Sequence, residues 1–152
     1  MTTTDAQLDE DRARMRAVIE TFYERTSAKD MTGVLELCTE DLQTRIPFDP
    51  IVSVREIKGK EVLRAVAAEA LEMYDSYRQI VTSIEPLLDP NTWLATVKGD
   101  LLVRSTGLPY RNDYLTIFRF RDGKIAEWTT YHDPIRQLIA FGVNQLPPAN
   151  DV

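Results

Sequence analysis

The stretch that decides the fold is Asn112-Asp-Tyr-Leu-Thr-Ile-Phe-Arg-Phe-Arg-Asp-Gly-Lys-Ile-Ala-Glu-Trp-Thr-Thr-Tyr-His132. Its side chains divide into two sets with a period of two, which is the spacing of a strand with two distinct faces. The dipeptide Asp122-Gly123 interrupts the pattern and is a strong signal for a tight hairpin. The sequence therefore predicts two antiparallel strands, Asn112 to Arg121 and Lys124 to His132.

Two more strands and a helix flank this hairpin. Arg78 to Leu88 and Thr92 to Ser105 keep the period of two, and the turn Asp89-Pro90-Asn91 separates them. After the hairpin, Asp133-Pro134 is typical of a helix start, and Gly142 fits the end of that helix. The stripe of this short helix that is expected to face the core consists of Ile135, Leu138, Ile139 and Phe141.

The chain before the strands is predicted to be mostly helical. A first helix runs from about Gln7 to Ala28, and a second, capped by Asp30, runs from Met31 to Cys38. A short strand, Leu42 to Phe48, follows, and residues 49–58 are expected to be irregular. The apolar stripe of the first helix consists of Met15, Val18, Ile19 and Phe22.

A third helix opens at Gly59 and runs to about Tyr74. Helices followed by antiparallel strands predict an α+β domain. We expect a cone-shaped fold, in which a curved, mostly antiparallel sheet wraps around three N-terminal helices and a short C-terminal helix follows. Such a cone has an apolar mouth that suits a small molecule. The expected inner stripe of the third helix consists of Val62, Val66, Ala70 and Met73 or Tyr74.

Composition limits the function classes. The 152 residues fit one domain, 1–152, with flexible ends at 1–6 and 145–152. Asp and Glu outnumber Lys and Arg by 24 to 18, which argues against a nucleic-acid partner. No apolar run is long enough for a membrane span, and the N-terminus lacks the apolar core of a signal peptide, so we expect a cytoplasmic protein. The single cysteine, Cys38, excludes an internal disulfide and a cysteine-based zinc site.

Alternation assigns side chains to the two faces of the sheet. The odd positions from Trp93 to Val103, including Val97, are expected on the concave face. In the next strand both faces are partly apolar, so we expect a partner, a second copy of the chain, on the convex face that carries Leu115 and Ile117. In the last strand the predicted pocket wall consists of Trp128, Thr130 and His132.

His132 is the only histidine, and histidine is the natural general acid or base near neutral pH. A structural histidine that hydrogen-bonds at a strand end is the open alternative. Asp113 and Asp49 are candidates for a working carboxylate, although each also fits a turn or cap. One histidine without clustered carboxylates does not make a metal site, and no nucleotide-binding motif is present. The sequence therefore predicts no metal and no cofactor.

The order of elements, with Pro47-Phe48 after the short strand and Gly59-Lys60-Glu61 opening the third helix, resembles the nuclear transport factor 2-like superfamily. Tyr110 to Ile125 and Tyr131-His-Asp-Pro134 resemble its SnoaL-like and ketosteroid-isomerase-like branch. This resemblance covers about residues 8–142. The C-terminal third is also similar to the phenazine-biosynthesis A/B proteins, which act on a small cyclic aminoketone.

The acids that the resemblance implies are absent. Ile46 stands where ketosteroid isomerases carry the base, and Thr116 stands at their protonated acid. Their phenolic donor falls on Phe22, and the neighbouring Tyr23 is expected to point elsewhere. Thr130 stands at the acid of the limonene epoxide hydrolases and the phenazine A/B proteins.

These observations give three functional hypotheses. The first is a cofactor-independent enzyme that transfers protons on a cyclic or polyketide-like ketone, giving isomerisation, cyclisation or dehydration. His132, with Asp113 or Asp49, is then the candidate catalytic group. The second is ligand binding without catalysis, and the third is a dimerisation or protein-interaction module. The residues expected to bind or enclose the small apolar or aromatic molecule are Thr130, Thr116, Tyr114, Trp128, Phe118, Phe22, Ile46 and Val97.

Overall fold

The computed structural model describes residues 4–52 and 54–145, which form four helices and a mixed sheet of six strands. The helices are α1 (Asp5–Ser27), α2 (Met31–Glu36), α3 (Lys60–Glu72) and α4 (Pro134–Ala140). The strands are β1 (Cys38–Arg45), β2 (Glu56–Lys58), β3 (Tyr74–Pro86), β4 (Thr92–Val103), β5 (Pro109–Arg121) and β6 (Lys124–His132). Residues 4–52 and 54–145 contain no candidate membrane-spanning helix.

The strand order is β2-β1-β6-β5-β4-β3, and every neighbouring pair is antiparallel except β1 with β6. The predicted hairpin joins β5 to β6. Asp122 (φ 51°) and Gly123 (φ 77°) both adopt positive φ, as the tightest hairpin turns require. The α+β architecture and the mostly antiparallel, open sheet confirm the predicted fold class.

The core lies between α1 and the concave face of the sheet. Phe22 of α1 packs edge-on against Phe118 and Trp128, with ring centroids 5.1 and 4.9 Å apart. The predicted α1 stripe is confirmed at three positions, whereas Val18 is half-buried. The odd positions of β4 are buried from Trp93 to Val103, so the concave face was assigned correctly.

The buried stripes of α3 and α4 differ from the prediction. In α3 the buried residues are Leu63, Ala67 and Leu71, and Val62 is 54% exposed. Both this stripe and the predicted one, a single residue earlier, are apolar, so periodicity alone cannot choose between them. In α4, Ile139 is 66% exposed. Leu138 is buried as predicted, and α4 also buries Gln137 and Ala140.

The boundaries near β1 also differ. Residues 39–41, which lie between the predicted second helix and the predicted short strand, are part of β1, and a shift in register between Cys38 and Gln43 accommodates them. Residues 56–58, expected to be irregular, form β2 against β1. Both strands depend on pairing with distant segments, which local patterns do not report. Of the ends expected to be flexible, residues 1–3 and 146–152 lie outside the described residues, and Thr4 caps α1.

Candidate functional site

A cavity of about 210 Å³ lies between the concave face of the sheet and the three N-terminal helices. Its lining is mostly apolar. The volume is below the ~300–1,000 Å³ of pockets for drug-sized ligands, so the cavity fits a smaller molecule. Eight of the residues singled out from the sequence line it together: Phe22, Ile46, Asp49, Tyr114, Thr116, Trp128, Thr130 and His132.

The structure places the other three elsewhere. Val97 and Phe118 are buried in the core and do not line the cavity. Asp113 is exposed on the opposite face of β5, where its carboxylate accepts from Lys98 Nζ at 3.0 Å and Arg136 Nη1 at 3.2 Å. The hydrogen bond from Lys98 is the main cause that lowers the pKa of Asp113. Asp113 alternates with the cavity residue Tyr114, so strand periodicity already separates the two.

His132 is held in the cavity wall by neighbours from two elements. Its Nε2 lies 2.5 Å from Gln137 Oε1 of α4. Its ring stacks on Tyr114 of β5, with centroids 5.7 Å apart and an interplanar angle of 25°, because the two residues are opposite in the β5–β6 register. The residue is 9% exposed. Its second ring nitrogen, Nδ1, is buried and has no hydrogen-bond partner among the described residues.

Asp49 lies behind Gln137 and is also buried. Gln137 Nε2 donates to both Asp49 carboxylate oxygens at 3.2 Å. Asp49 Oδ1 also accepts the backbone N–H groups of Ile51 at 2.8 Å and Val52 at 3.0 Å. Arg55 Nε donates to the Asp49 carbonyl oxygen at 3.1 Å and fixes the loop further. Asp49, Gln137 and His132 therefore form one continuous hydrogen-bonded chain, which we call the Asp–Gln–His chain.

The orientation of the Tyr23 side chain differs from the expectation. Its side chain lines the cavity rather than pointing elsewhere, and its hydroxyl is buried near Thr116, with no hydrogen bond of good geometry in the part of the chain that the structure describes. Burial raises the pKa of Tyr23 well above its ordinary value. The phenol therefore keeps its proton at physiological pH and remains available as a neutral hydrogen-bond donor.

Thr116 and Thr130, the two threonines that the sequence resemblance aligned with acids of other proteins, bond to each other. Thr116 Oγ1 and Thr130 Oγ1 are 3.0 Å apart across the β5–β6 pair. Each hydroxyl still has capacity for further hydrogen bonds, since a hydroxyl has one donor and two acceptor sites. Neither can ionise at ordinary pH, so this part of the wall can orient a ligand but cannot hold a charge.

Several cavity residues were missed by sequence reasoning. Gln137 was overlooked because α4 was assigned the wrong buried face, although one polar residue among apolar ones was visible there. Tyr110 shares the inward alternation of Tyr114 and could have been found from it. Asn112 Nδ2 donates to the Tyr110 hydroxyl at 2.8 Å. The remaining tyrosines of the cavity, Tyr74 and Tyr77, lie at the start of β3, which was expected to begin later.

No group of three or more histidine, cysteine, aspartate or glutamate side chains within residues 4–52 and 54–145 could hold a metal ion. Asp49 is the one carboxylate among the cavity-lining residues that the structure describes. Its oxygens accept hydrogen bonds from Gln137 Nε2 and from the backbone N–H groups of Ile51 and Val52. The site thus offers a buried imidazole, hydroxyl donors and apolar walls as its chemical groups.

Comparison with known proteins places these features in a family. The model of the SnoaL-like domain matches residues 19–128. The uncharacterized protein YesE of Bacillus subtilis (strain 168) is 31% identical over 118 residues, which cover 75% of this chain and 78% of that protein.

Solved structures give the same result. A Bacillus subtilis protein provisionally described as an isomerase is 26% identical, with a TM-score of 0.80 over 90% of this chain and 99% of its own. The phenazine biosynthesis-related protein PhzB2 of Pseudomonas aeruginosa is 23% identical, with a TM-score of 0.79 over 97% of this chain and 91% of its own. At that identity the likeness to PhzB2 shows the fold alone.

Proposed function

The chain belongs to the SnoaL-like domain family of the nuclear transport factor 2-like superfamily, and from this premise we propose that it is a cofactor-independent enzyme that transfers a proton on a small ketone. The reaction would be an isomerisation, cyclisation or dehydration of a cyclic or polyketide-like ketone. The whole of residues 1–152 would act as a single domain. The likeness to the provisionally described isomerase at 26% identity supports the reaction class.

The observation that carries this proposal is the buried environment of His132. The chain's one histidine is buried in an apolar cavity with Nδ1 unpartnered among the described residues. A buried polar atom without a partner costs about 1–3 kcal/mol. Such a cost in the wall of a cavity supports a role in which a ligand completes the hydrogen bond. An imidazole in that position is a general base in a water-poor site.

The mechanism follows from the groups present. His132 Nδ1 removes the proton from the carbon next to the carbonyl, and the electron pair moves onto the carbonyl oxygen. The Tyr23 hydroxyl donates a hydrogen bond to the developing enolate oxygen. The imidazolium then returns its proton at another carbon for isomerisation, or to a departing hydroxyl for dehydration. Thr116 and Thr130 orient the substrate, and Phe22 and Trp128 pack against its apolar part.

A thermal-shift screen of small cyclic ketones, followed by a turnover assay on the compounds that bind, tests the proposal. A ligand at about 100 times its dissociation constant stabilises the fold by roughly 2.7 kcal/mol. We expect the wild type to convert a bound ketone and the His132→Gln variant to lose about 10²–10⁴-fold in rate, which is the usual contribution of a general base. Equal rates in both proteins would contradict the role of His132.

A second candidate function is ligand binding without catalysis. The observation that favours it is the hydroxyl pair Thr116 and Thr130, which cannot ionise and which stands where the sequence resemblance implied acids. In this case the thermal-shift screen finds ligands that stabilise wild type and His132→Gln alike, and the bound compounds are recovered unchanged.

We further propose that the protein is a homodimer through the convex face of the sheet. Leu115 is 37% exposed there, and Ile117, two residues further along β5, lines a shallow groove together with Arg119 and Glu127. Light scattering coupled to size exclusion should report twice the 17.4 kDa chain mass. Leu115→Glu should reduce it to one chain, and a monomeric wild type would refute this part of the proposal.

A further inference from the structure

The direction of each hydrogen bond in the Asp–Gln–His chain is fixed by its far end. Asp49 Oδ1 accepts two backbone N–H groups, from Ile51 and Val52, so this carboxylate acts as an acceptor. The group of Gln137 that faces both carboxylate oxygens at 3.2 Å must therefore be the amide NH₂, because two acceptors do not bond each other.

The orientation of Gln137 in turn determines the imidazole. With its NH₂ facing Asp49, its carbonyl oxygen Oε1 faces His132 Nε2 at 2.5 Å. A carbonyl oxygen only accepts, so Nε2 must carry a hydrogen. In the neutral ring one nitrogen donates and the other accepts. The lone pair is then on Nδ1, the atom without a partner among the described residues.

The opposite tautomer is disfavoured by the same contacts. A hydrogen on Nδ1 would place the Nε2 lone pair against Gln137 Oε1 at 2.5 Å, which is acceptor against acceptor. Rotation of the Gln137 amide would relieve that clash only by turning Oε1 onto the Asp49 carboxylate. The ring cannot easily rotate away either, because it stacks on Tyr114.

We propose that Asp49 and Gln137 are positioning residues that hold His132 as its Nε2–H tautomer, so that the cavity receives a ligand group with a hydrogen to give. That group is an O–H, an N–H or an acidic C–H, and it points at Nδ1. A carbonyl oxygen is excluded from this position and must lie towards the hydroxyl donors. The substrate is thereby oriented with its acidic hydrogen at His132. The tautomer stands on the geometry alone, whereas the use of Nδ1 in turnover rests on the proposed function.

Nitrogen-15 NMR of the imidazole tests the tautomer directly. The chain has one histidine, so ¹⁵N-histidine labelling gives the two ring nitrogens of one residue without overlap. We expect one nitrogen with a bound hydrogen, assigned to Nε2, and one with a free lone pair, assigned to Nδ1. A hydrogen found on Nδ1, or an average over both nitrogens, in the wild type would overturn the proposal.

Two variants and a matched control separate positioning from general disturbance. Gln137→Leu should lose the single-tautomer pattern. Gln79→Leu, which removes another cavity glutamine whose Nε2 donates to the Tyr77 hydroxyl, should keep it. Asp49→Asn should also mix the tautomers, because an asparagine amide can donate to Gln137 Oε1 and the Gln137 NH₂ can then face His132 Nε2. This variant replaces Gln137→Leu in the test if Gln137→Leu does not fold. An unchanged pattern in both Gln137→Leu and Asp49→Asn would overturn the positioning role.

A pair of small aromatic probes tests the ligand chemistry. 2-Naphthol carries an O–H donor, and 2-methoxynaphthalene has the same rings without it. We expect saturating 2-naphthol to move the Nδ1 resonance and 2-methoxynaphthalene to leave it in place. Equal shifts from both probes, or no shift from either, would overturn the assignment of a donor group to Nδ1.

Turnover gives an independent readout. Where a substrate is converted, Gln137→Leu should lower kcat by up to about 10⁴-fold, the loss that a wrong tautomer causes in a catalytic triad, while KM changes little. An intact tautomer pattern with no turnover of any bound ketone would contradict the proposed function and leave this inference standing. Turnover without a fixed tautomer would support the proposed function and overturn this inference.

Discussion

Gly99 is the position where one added methyl group should disturb both the fold and the site. It lies in β4 opposite Asn112 of β5. A Cβ built at this position would lie 2.5 Å from Tyr114 Cε2 and 3.0 Å from Leu101 Cδ1. Glycine within a strand commonly marks such a close approach. Gly99→Ala therefore requires the Tyr114 ring to move by about 1 Å before it reaches an ordinary carbon–carbon separation of ~3.5 Å.

The Tyr114 ring cannot move at low cost. It stacks on His132 and has Tyr110 and Tyr77 close enough to influence its ionisation. Overpacking of this kind costs about 1–3 kcal/mol. For a domain of this size, 1 kcal/mol corresponds to roughly 2–4 °C in Tm. We therefore expect Gly99→Ala to lower Tm by about 2–12 °C, and to shift the ring signals of His132 because its stacking partner has moved.

A double-mutant cycle with Tyr114→Ala measures the clash itself. Urea denaturation of the wild type, the two single variants and the double variant gives four free energies of unfolding. With the ring removed, Gly99→Ala should add less than about 0.5 kcal/mol, so the coupling energy should account for most of the single-variant cost. A Gly99→Ala protein as stable as wild type, or one with the same cost with and without Tyr114, would refute the reasoning.

Three further predictions concern stability. Tyr23→Phe removes a buried hydroxyl that has no partner among the described residues, so thermal unfolding should show unchanged or higher stability, by up to about 1 kcal/mol, while turnover falls; a clear loss of stability would show that the hydroxyl is bonded within the protein. Gly123→Ala places a side chain at φ 77°, and urea denaturation should show a loss of about 1 kcal/mol or more; no loss would contradict the turn geometry. Burial raises the pKa of the Cys38 thiol from 9.0 to about 12, so burial of the neutral thiol contributes fully to the free energy of unfolding below pH ~9, and this contribution is lost as pH rises towards ~12. Cys38→Ala should reduce the fall in the free energy of unfolding over this pH range. An identical pH profile in both proteins would refute the raised pKa of Cys38.

Local chemistry made part of the fold predictable. The hairpin at Asp122-Gly123 was placed correctly because the turn depends on two residues that tolerate positive φ. β6 matched from its first residue to its last, since its start follows that turn. The bounds of β1 depend on parallel pairing with β6, and no local pattern in residues 38–45 reports a distant partner.

The site was predicted best along the last strand, β6, and less completely in the helices. Alternation placed Trp128, Thr130 and His132 on one wall, and the structure has all three in the cavity. The rotation of a helix about its axis depends on packing that the sequence leaves open when two adjacent stripes are apolar. For that reason Gln137 of α4, the partner of the histidine, was missed. Tyr23 lies beside Phe22 in the confirmed stripe of α1, and it is buried as well.

The central claim is that His132 takes a proton from a ketone bound in the cavity, and exchange of carbon-bound hydrogen in D₂O tests it without knowledge of the product. Proton NMR follows loss of the signal next to the carbonyl of a ketone that stabilises the protein. We predict exchange with wild type, and exchange at least about 100-fold slower with His132→Gln. Equal exchange rates in wild type and His132→Gln, with the ketone bound to both, would contradict the account.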